Sequence, residues 1–542
     1  GDYIYETTGD ALFQAVGSDR SVSFTDEAGA IPLGDEGDRY YAARSLDNYR
    51  ELYKIYRSDP YLQRMHERAA MVAVWDDHEF SDDAWGTHGT YHDGREDEDD
   101  PERRQNADRA WFEYMPVDYP GDPDFVYEAG AAPFPDDMRI YRDLSFGQHL
   151  HLVMTDLRRY RSDHLIAEDG FPGAVAVTQG RIMAALGELP DILRPYVDIE
   201  TFGDGAYAAL LTEQSEALGL DPAVLTGPMS VDWLNGQLGT LNEGLDEAEA
   251  HTLISEEAVS EAERGVAYHH LFKTNAHSSL GARYLVTGDY YDILAAVRWA
   301  ETDGASETAM GEAQRSWFVD TITQSTRTWK VWGNEFVFMP HGVDLREFSF
   351  IPDAFRVRFY LSAEDWDGMP NRRSELLAAI GQTDNVVAVT GDIHSFFAGV
   401  PSEGPAGLVE FVTGAVSSST YRTLLVNQAE SDPDLVDAGV AFLAGQVGDF
   451  MTSKVGPNNP HMAHQGFDKQ GCMTIALDGE HLDATLWAIA EEESSRHFEG
   501  DDLALDALFE RTTFRVNSGE HALYKDVDGT WLRWDVETME WV

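Results

Sequence analysis

The chain has 542 residues, of which 39 are Lys or Arg and 97 are Asp or Glu, so its formal net charge is −58 at pH 7. Such a surface repels nucleic acid and anionic membranes, which argues against nucleic-acid binding, and it suits a salty medium such as that of a halophilic or marine organism. Hydrophobic residues make up 43% of the chain, enough for a large core, and the single cysteine, Cys472, excludes a disulfide framework.

Segments with helical spacing alternate with short apolar segments typical of strands. Residues 44–70 have helical spacing that breaks at 58–60, where Ser-Asp-Pro predicts the end of one helix and the cap of the next. Residues 71–75, MVAVW, predict a buried strand, and residues 149–155 predict another. A helix is predicted to run through 107–114. There is no run of about 18 apolar residues, so we expect no membrane span.

The second half of the chain repeats this alternation. Residues 175–265 have helical periodicity with many Glu and Ala, and predict a largely helical insertion. Further helices and strands are predicted at 311–325, 329–333, 372–382, 385–390 and 408–419. Asp528-Gly529, between alternating aromatic residues, predicts a β-hairpin. Strands interspersed with helices throughout predict an α/β fold.

Three short segments share one pattern, in which a strand is followed at once by clustered ligand-type residues. They are GDYIY at the start of the chain, VAVWDDHE and VAVTGDIHS. Loops at the carboxyl ends of strands build the sites of α/β folds, so the three together predict one convergent metal centre. Taken singly, each segment is also consistent with an ordinary turn, since Asp after Gly is common in turns.

The predicted ligands fall into two chemical classes. Asp2, Asp77 and Asp392 are hard oxygen donors, suited to Ca²⁺, Mg²⁺ or Mn²⁺. Tyr5 is a phenol that binds as phenolate only to a strongly Lewis-acidic ion such as Fe³⁺, and His394 supplies an imidazole suited to Fe or Zn. Together they predict a mixed two-metal site of the kind that binds a phosphoryl group.

The order of the motifs resembles that of the binuclear metallophosphoesterase superfamily, which includes the purple acid phosphatases. The closer resemblance is to PhoD-type alkaline phosphatases. The blocks that carry it are GDYIYE, WDDHE, TDLRRYR, GEAQRSWF, WKVWGNEF, VTGDIHS and EFVTGAVSSS, in that order. The resemblance covers nearly the whole chain outside the predicted insertion and the acidic loops.

The resemblance implies a fold and an activity. The fold would be a four-layer α/β/β/α sandwich of two mixed sheets, with a helical insertion and a C-terminal β tail. The activity would be phosphoester hydrolysis, in which a metal-bound hydroxide attacks a small phosphate monoester or diester. It further implies Fe³⁺ and Ca²⁺ as cofactors, in a binuclear or larger cluster with Zn²⁺ or Mn²⁺ as alternatives, and an extracellular or periplasmic location.

On this basis the chain divides into four parts. These are the first half of the metallophosphoesterase domain at 1–170, the mainly helical insertion at 171–270, the second half of that domain at 271–495, and a tail with a β-hairpin at 496–542.

The resemblance also assigns roles to the metal-site residues. Asp2 would be the bridging carboxylate, while Tyr5 and His394 would bind iron. Asp77 and Asp392 stand where the wider superfamily has an Asn and a His, which makes the second site all-oxygen and fits Ca²⁺.

Four further residues are expected on the substrate side. His78 would face the substrate and protonate the leaving group. Asn334 lies at a strand exit and would add a ligand or a substrate contact. Arg158 and Arg161 could hold phosphate, and salt bridges on a loop are the alternative.

The superfamily has a strand before GDxxY that brings a further iron ligand, an Asp or a Cys. Neither Asp10 nor Cys472 is placed to supply it, and we interpret Cys472 as a buried structural residue in a strand. We therefore expect an upstream fragment of the same protein to complete the site. Two other functions stay open: a phosphodiesterase or phospholipase D-like enzyme, and a non-catalytic extracellular binding or assembly protein on the same scaffold.

Overall fold

The computed structural model describes residues 2–10, 21–34, 37, 39–89, 99–118, 125–130, 134–136, 138–246, 248–273, 284–401, 407–456, 458–494, 496–498 and 500–542. Gly1 of the first predicted motif lies outside these residues. Within the described ranges, 15 α-helices and 23 β-strands alternate along the chain, which confirms the predicted α/β class.

Helices are present close to the positions predicted at 44–70, 107–114, 311–325 and 372–382. The described helices are α1 Leu46–Tyr56, α2 Pro60–Arg68, α3 Pro101–Tyr114, α4 Gln179–Leu186, α5 Ala206–Glu213, α6 Ser215–Leu218, α7 Val231–Asn242, α8 Gly288–Thr302, α9 Gly311–Gln324, α10 Pro370–Ile380, α11 Tyr421–Ser431, α12 Pro433–Asp437, α13 Val447–Met451, α14 Glu491–Ser494 and α15 Asp502–Asp506. The four predicted positions correspond to α1 with α2, α3, α9 and α10. The predicted break between α1 and α2 is confirmed, because the Asp59 carboxylate accepts the N–H groups of Tyr61 and Leu62.

The strands form several sheets. They are β1 Thr7–Thr8, β2 Ile31–Leu33, β3 Tyr40–Ala42, β4 Arg142–Phe146, β5 Leu150–Met154, β6 Val175–Val177, β7 Arg194–Asp198, β8 Pro228–Ser230, β9 Arg264–Ala267, β10 Val286–Thr287, β11 Trp329–Asn334, β12 Val343–Asp344, β13 Arg358–Tyr360, β14 Val386–Thr390, β15 Phe396–Gly399, β16 Val409–Val412, β17 Met462–Gly466, β18 Lys469–Leu477, β19 His481–Ala490, β20 Glu510–Asn517, β21 Tyr524–Val527, β22 Thr530–Asp535 and β23 Glu540–Trp541. The predicted strand at 408–419 is the short β16, because the chain leaves the sheet after Val412.

A seven-stranded mixed sheet forms the centre of the fold, in the order β17-β15-β16-β14-β11-β5-β4. Its four neighbouring strands β16, β14, β11 and β5 are parallel. In their register Asn334 pairs with Thr390, and Gly333 pairs with Met154. The carboxyl ends of these four strands therefore lie together at one edge of the sheet.

A six-stranded sheet packs against one face of the central sheet. Its strands β18 to β23 follow one another in sequence order and are antiparallel throughout. Phe514 and Leu486 of this sheet lie in one buried cluster with Val331, Val387 and Phe411 of the central sheet. The prediction of two mixed sheets thus fits only the central one, since short connections between consecutive strands give antiparallel pairs.

Helices α9 and α10 cover the opposite face of the central sheet. Phe318 of α9 and Ile380 of α10 lie in a buried cluster with Val153, Trp332 and Ala388 of the strands. The order of layers is therefore helices, central sheet and six-stranded sheet.

The prediction of a strand at 71–75 is wrong. Among the described residues no strand pairs with this segment. Its burial does alternate, since Ala73 and Trp75 are buried and Val72 is exposed. The carbonyl of Ala73 accepts a hydrogen bond of 2.6 Å from the Arg142 guanidinium. A side chain thus occupies a backbone position that a neighbouring strand would need.

The segment 171–270, predicted to be mainly helical, carries a four-stranded sheet as well as α4 to α7. The strand order is β6-β9-β7-β8, and the neighbouring strands are antiparallel. Leu211, Met229 and Leu234 are buried in a hydrophobic cluster of this segment. The strands are only three to five residues long, too short for their alternation to stand out against the helical periodicity.

The C-terminal predictions are confirmed in one point and wrong in another. Asp528 and Gly529 have φ angles of 52° and 82° and connect β21 to β22, as a two-residue hairpin turn requires. Cys472 lies in β18, as predicted, but its side chain is exposed, because its neighbour Met473 takes the inward position. None of the described helices is both long enough and apolar enough to cross a lipid bilayer.

Phe514→Ala tests the packing of the two sheets. We expect a loss of about 3–5 kcal/mol in the free energy of unfolding, because Phe514 is fully buried between the sheets. Urea unfolding followed by circular dichroism measures it. The matched control is Thr513→Ala, whose hydroxyl faces Thr485 at 3.0 Å and should cost less than about 1.5 kcal/mol. Equal losses would show that the sheets do not depend on this contact.

Candidate metal centre

The predicted ligands lie where the four parallel strands end. The loops at 155–158, 334–335, 391–395 and 413–420 follow β5, β11, β14 and β16. The segment at 76–79 joins them, since Arg158 contacts Asp76 and Asp77. The three motifs are therefore neighbours, as expected, but only VAVTGDIHS follows a strand, since residues 2–6 and 71–75 form none.

Two overlapping groups of potential ligand atoms form the centre. Oxygens of Asp76, Asp77 and Asp392 lie within 4.8 Å of one another. An oxygen of Asp2, an oxygen of Asp77 and a ring nitrogen of His78 also lie within 4.8 Å of one another. Asp77 is common to both groups, which gives it the shared position that the resemblance assigned to Asp2. The bridging role of Asp2 stays a prediction.

Tyr5 and His394 form a third part of the centre. The Tyr5 hydroxyl lies 3.2 Å from His394 Nε2 and donates to Ser418 Oγ at 2.9 Å. His394 Nδ1 donates to the carbonyl of Ser419 at 2.6 Å, so Nε2 keeps its lone pair. An imidazole oriented in this way is the usual form of a metal ligand. The two residues predicted to share iron are thus neighbours.

The loop after β14 has an unusual backbone. Asp392 and His394 have φ angles of 68° and 54°, in the left-handed region that L-residues avoid at a cost of about 1–2 kcal/mol each. Asp83, beside the other ligand segment, has φ of 51°. Backbone strain of this kind clusters at functional sites, where the surroundings hold it in place.

His78 is held between carboxylates. Its Nδ1 lies 2.6 Å from Glu6 Oε2 and its Nε2 lies 3.5 Å from Asp82 Oδ1. Its ring packs on that of Tyr5, with 4.2 Å between centroids. Burial lowers the pKa of His78, but Glu6, Asp77 and Asp2 more than offset this, and the pKa lies well above its usual range.

Arg158 forms ion pairs with carboxylates of the candidate centre. It is fully buried, and its Nε and Nη2 lie 2.7 Å from oxygens of Asp76 and Asp392 respectively. Nη1 contacts Glu364, which Arg161 also contacts. Both arginines thus pair with carboxylates of the protein, as the salt-bridge alternative expects, and their role in holding phosphate stays a prediction.

Burial raises the pKa of a carboxyl group, and the neighbouring charges of the centre either add to this rise or oppose it. Burial raises the pKa of Asp2 and of Asp392 well above the usual range, and Asp77 adds to the effect on Asp2. Burial would raise the pKa of Asp77 as well, but Arg158 and His78 hold it below the usual range. Burial and the nearby Asp2 carboxylate also raise the pKa of Tyr5. A cation bound here would lower the pKa of all four groups, and would so reverse the upward shifts of Asp2, Asp392 and Tyr5.

Asn334 lies at the end of β11, but its amide points into the protein. The amide NH₂ donates to the carbonyl of Phe336 at 2.6 Å and to Thr390 Oγ1 at 3.2 Å, while its oxygen accepts from Trp366 Nε1 at 3.4 Å. These bonds hold the Asn334 side chain inside the protein. Its role as a metal ligand or as a substrate contact stays a prediction.

A model of the PhoD-like phosphatase family matches residues 1–242 and 286–486. The chain belongs to the PhoD-like phosphatase family. Alkaline phosphatase D of Bacillus subtilis (strain 168) is 29% identical over 119 residues, which are 22% of this chain and 18% of that protein. A solved structure described as the structure of PhoD is similar with a TM-score of 0.51 and 16% identity, over 98% of this chain and 66% of that one. The chain thus matches less than two thirds of each relative's length.

Several residues of this PhoD-like site were not predicted from the sequence. Asp76 precedes Asp77 in DDHE, and Glu6 follows Tyr5 in GDYIYE. Both residues could therefore have been predicted from the quoted motifs. Ser418 had a weaker signal, since it lies in the EFVTGAVSSS block. Glu364 lies outside every quoted motif and contacts Arg158 and Arg161.

The donor set of the PhoD-like site fits bound metal ions. Oδ1 of Asp2 is buried and, among the described residues, has no hydrogen-bond partner. A buried oxygen of this kind is costly unless something binds it. The cluster of Asp76, Asp77 and Asp392 is all-oxygen, as Ca²⁺ prefers, and the phenol of Tyr5 beside an imidazole suits a more Lewis-acidic ion.

Arg158→Gln tests whether the arginine holds the site together. We expect the metal-free protein to lose about 3–5 kcal/mol in the free energy of unfolding, because the buried carboxylates lose their cation. Urea unfolding in a chelating buffer measures it, and added Ca²⁺ should recover part of the loss. The control Arg315→Gln removes a partly exposed pair with Glu312 and should cost below about 1 kcal/mol. An unchanged Arg158→Gln protein would contradict this role.

Proposed function

We propose that this protein is a metal-dependent phosphoester hydrolase that acts on small phosphate monoesters or diesters. The observation that carries the proposal is the convergence of Asp77, Asp392 and the Tyr5–His394 pair at one edge of the parallel sheet. Membership of the PhoD-like phosphatase family supports it. The clustering of so many candidate ligands argues against a purely structural or binding role on the same scaffold.

The ligand chemistry suggests how two kinds of ion would be held. Tyr5, His394 and Asp2 would bind Fe³⁺, while Asp76, Asp77 and Asp392 would bind Ca²⁺. Such ions, when bound, supply an activated water and neutralise the charge that develops on the phosphoryl group. Zn²⁺ or Mn²⁺ in place of iron would use the same imidazole and carboxylates.

The protein's own residues would then complete the reaction. As the bond between phosphorus and the leaving oxygen breaks, His78 would give a proton to that oxygen, so that an alcohol leaves instead of an alkoxide. Arg158 would keep Asp76 and Asp392 in place throughout. General acid catalysis of this kind contributes about 10²–10⁴-fold to a rate.

Three finer points belong to the same proposal. The first is the four-layer sandwich, in which a further helical layer would cover the outer face of the six-stranded sheet. The second is an upstream fragment that would complete the iron site. The third is an extracellular or periplasmic location, which the strongly acidic composition suits.

Asp77→Asn tests the metal site. We expect activity on p-nitrophenyl phosphate and bis-p-nitrophenyl phosphate to fall by at least about 100-fold, because one carboxylate of the shared position is lost. Chelators should abolish activity in the unchanged protein. The control is Asp232→Asn, a carboxylate paired with Arg194 in the segment 171–270, which should leave both activities unchanged. If Asp77→Asn kept full activity on both esters, the proposed site would be wrong.

Tyr5→Phe tests the assignment of iron. We expect the purified protein to contain iron and calcium and to show the visible absorption of a phenolate bound to Fe³⁺. Tyr5→Phe should lose that absorption, measured by visible spectroscopy together with elemental analysis. The control Tyr49→Phe removes an equally buried hydroxyl, which donates to the Phe80 carbonyl, and should keep the absorption. An absorption that survives in Tyr5→Phe would place another ligand on the iron.

A further inference from the structure

Glu79 is the last residue of the WDDHE motif, and the proposed reaction gives it no role. Its side chain is buried, and its two carboxylate oxygens accept backbone N–H groups from two different segments. Oε1 accepts the N–H of Tyr3 at 2.6 Å, and Oε2 accepts the N–H of Asp76 at 2.7 Å. Tyr3 directly follows the candidate ligand Asp2. Asp76 is itself a candidate ligand and directly precedes Asp77.

A tight turn fixes the position from which Glu79 reaches these groups. The carbonyl of Asp77 accepts the N–H groups of Phe80 and Ser81, both at 2.7 Å. Glu79 lies inside this turn, so its side chain begins at a set distance from Asp76. A carboxylate that accepts a hydrogen bond at each oxygen has little freedom to move, and such bonds are stronger than those between neutral groups.

We propose that Glu79 is a positioning residue that ties Asp2 to the segment of Asp77, so that the two carboxylates bind the same metal ion. An oxygen of Asp2 and an oxygen of Asp77 lie within 4.8 Å of each other, and this is the spacing that has to be maintained. The inference rests on the proposed function, and it deepens that function by naming the residue that sets the spacing of two ligands from distant segments.

Asp2 depends on this tie more than Asp77 does. Oδ2 of Asp77 accepts the N–H of Asp83 at 2.7 Å, and its Oδ1 lies 3.6 Å from the Arg158 guanidinium. Oδ1 of Asp2 is buried and has no hydrogen-bond partner in the part of the chain that the structure describes. The position of Asp2 therefore follows from its backbone, which Glu79 holds at the next residue.

Glu79→Gln would cut this tie at nearly constant volume. A glutamine side chain has one acceptor oxygen, and its NH₂ group would face the second backbone N–H as donor against donor. Only one of the two segments could stay bound, so Asp2 and Asp77 would no longer be fixed relative to each other. The metal ion that uses Asp2 would be bound less tightly, while the carboxylates that Arg158 holds would keep their contacts.

Glu307 offers a matched control. It is fully buried, and one of its oxygens accepts the backbone N–H groups of Asn371 and Arg372 at 2.8 and 3.0 Å. The other oxygen accepts Asn371 Nδ2 at 2.6 Å. These partners lie in the first turn of α10 and include no candidate ligand. Glu307→Gln therefore makes the same chemical change in a buried carboxylate and leaves the metal centre intact.

The first measurement is metal affinity, determined by calorimetry on chelator-stripped protein. Zn²⁺ favours the imidazole side of the centre and Ca²⁺ favours the all-oxygen cluster. We expect Glu79→Gln to weaken Zn²⁺ binding by about 10–100-fold and Ca²⁺ binding by less than about fivefold. Glu79→Asp, whose carboxylate is one methylene too short to span both N–H groups, should also weaken Zn²⁺ binding. Glu307→Gln should bind both ions like the unchanged protein.

The second measurement needs neither metal nor activity. Hydrogen exchange of the metal-free protein, followed by mass spectrometry, reports how firmly the two segments are held. In Glu79→Gln we expect exchange to be at least about tenfold faster in residues 2–6 or in residues 74–79, because one N–H group loses its acceptor. In Glu307→Gln the exchange of both segments should be unchanged.

Unchanged Zn²⁺ affinity in Glu79→Gln and Glu79→Asp, or an equal loss in Glu307→Gln, would overturn the inference. The proposed function fails separately, if the unchanged protein binds both ions but hydrolyses neither p-nitrophenyl phosphate nor bis-p-nitrophenyl phosphate. A protein that binds neither ion would overturn both.

Discussion

The guanidinium of Arg158 is the interaction on which the candidate site depends. It is fully buried and lies between Asp76, Asp392 and Glu364, which come from three distant parts of the chain. Buried carboxylates repel one another strongly and cannot share a small space without a cation. One planar cation with several donors satisfies this need, and its geometry sets the positions of the ligand loops relative to the sheet.

Buried carboxylates are also paired with cations in the loop that carries Glu364. Asp365 lies 3.1 Å from the imidazole of His341, and Asp367 pairs with Arg373 and with the other nitrogen of His341. Burial lowers the pKa of His341, but the two aspartates more than offset this and raise it to about 9, so the ring is a cation at neutral pH. Each buried acid of this loop thus has its own buried cation. The loop can therefore pass through the interior behind the site at a fixed position.

Much of this arrangement follows from short-range sequence patterns, and the rest does not. A strand followed directly by Asp and His places its side chains at a sheet edge, and this pattern holds for His394 after β14. Tyr5 and Asp77 were singled out by the same pattern, but the segments that carry them are not strands. The role of Arg158 was not found in this way, because its partner Glu364 is 206 residues away. The segment 71–75 reads as a strand, but strand formation depends on a partner that no local pattern reveals.

The charge of the centre explains why metal and fold belong together in this protein. Asp2, Asp76, Asp77 and Asp392 face one guanidinium and one imidazole, so the positive charge of Arg158 and His78 does not balance them. Burial and the neighbouring carboxylates raise the pKa of Asp2 and of Asp392, so their ionised forms are costly without a further cation. Bound metal ions would offset that cost and leave the backbone where it is. The strained turn at Asp392 and His394 is then maintained by contacts to Arg158 and Ser419 that do not require the metal. The ligand geometry is in this sense built into the folded chain before any ion binds.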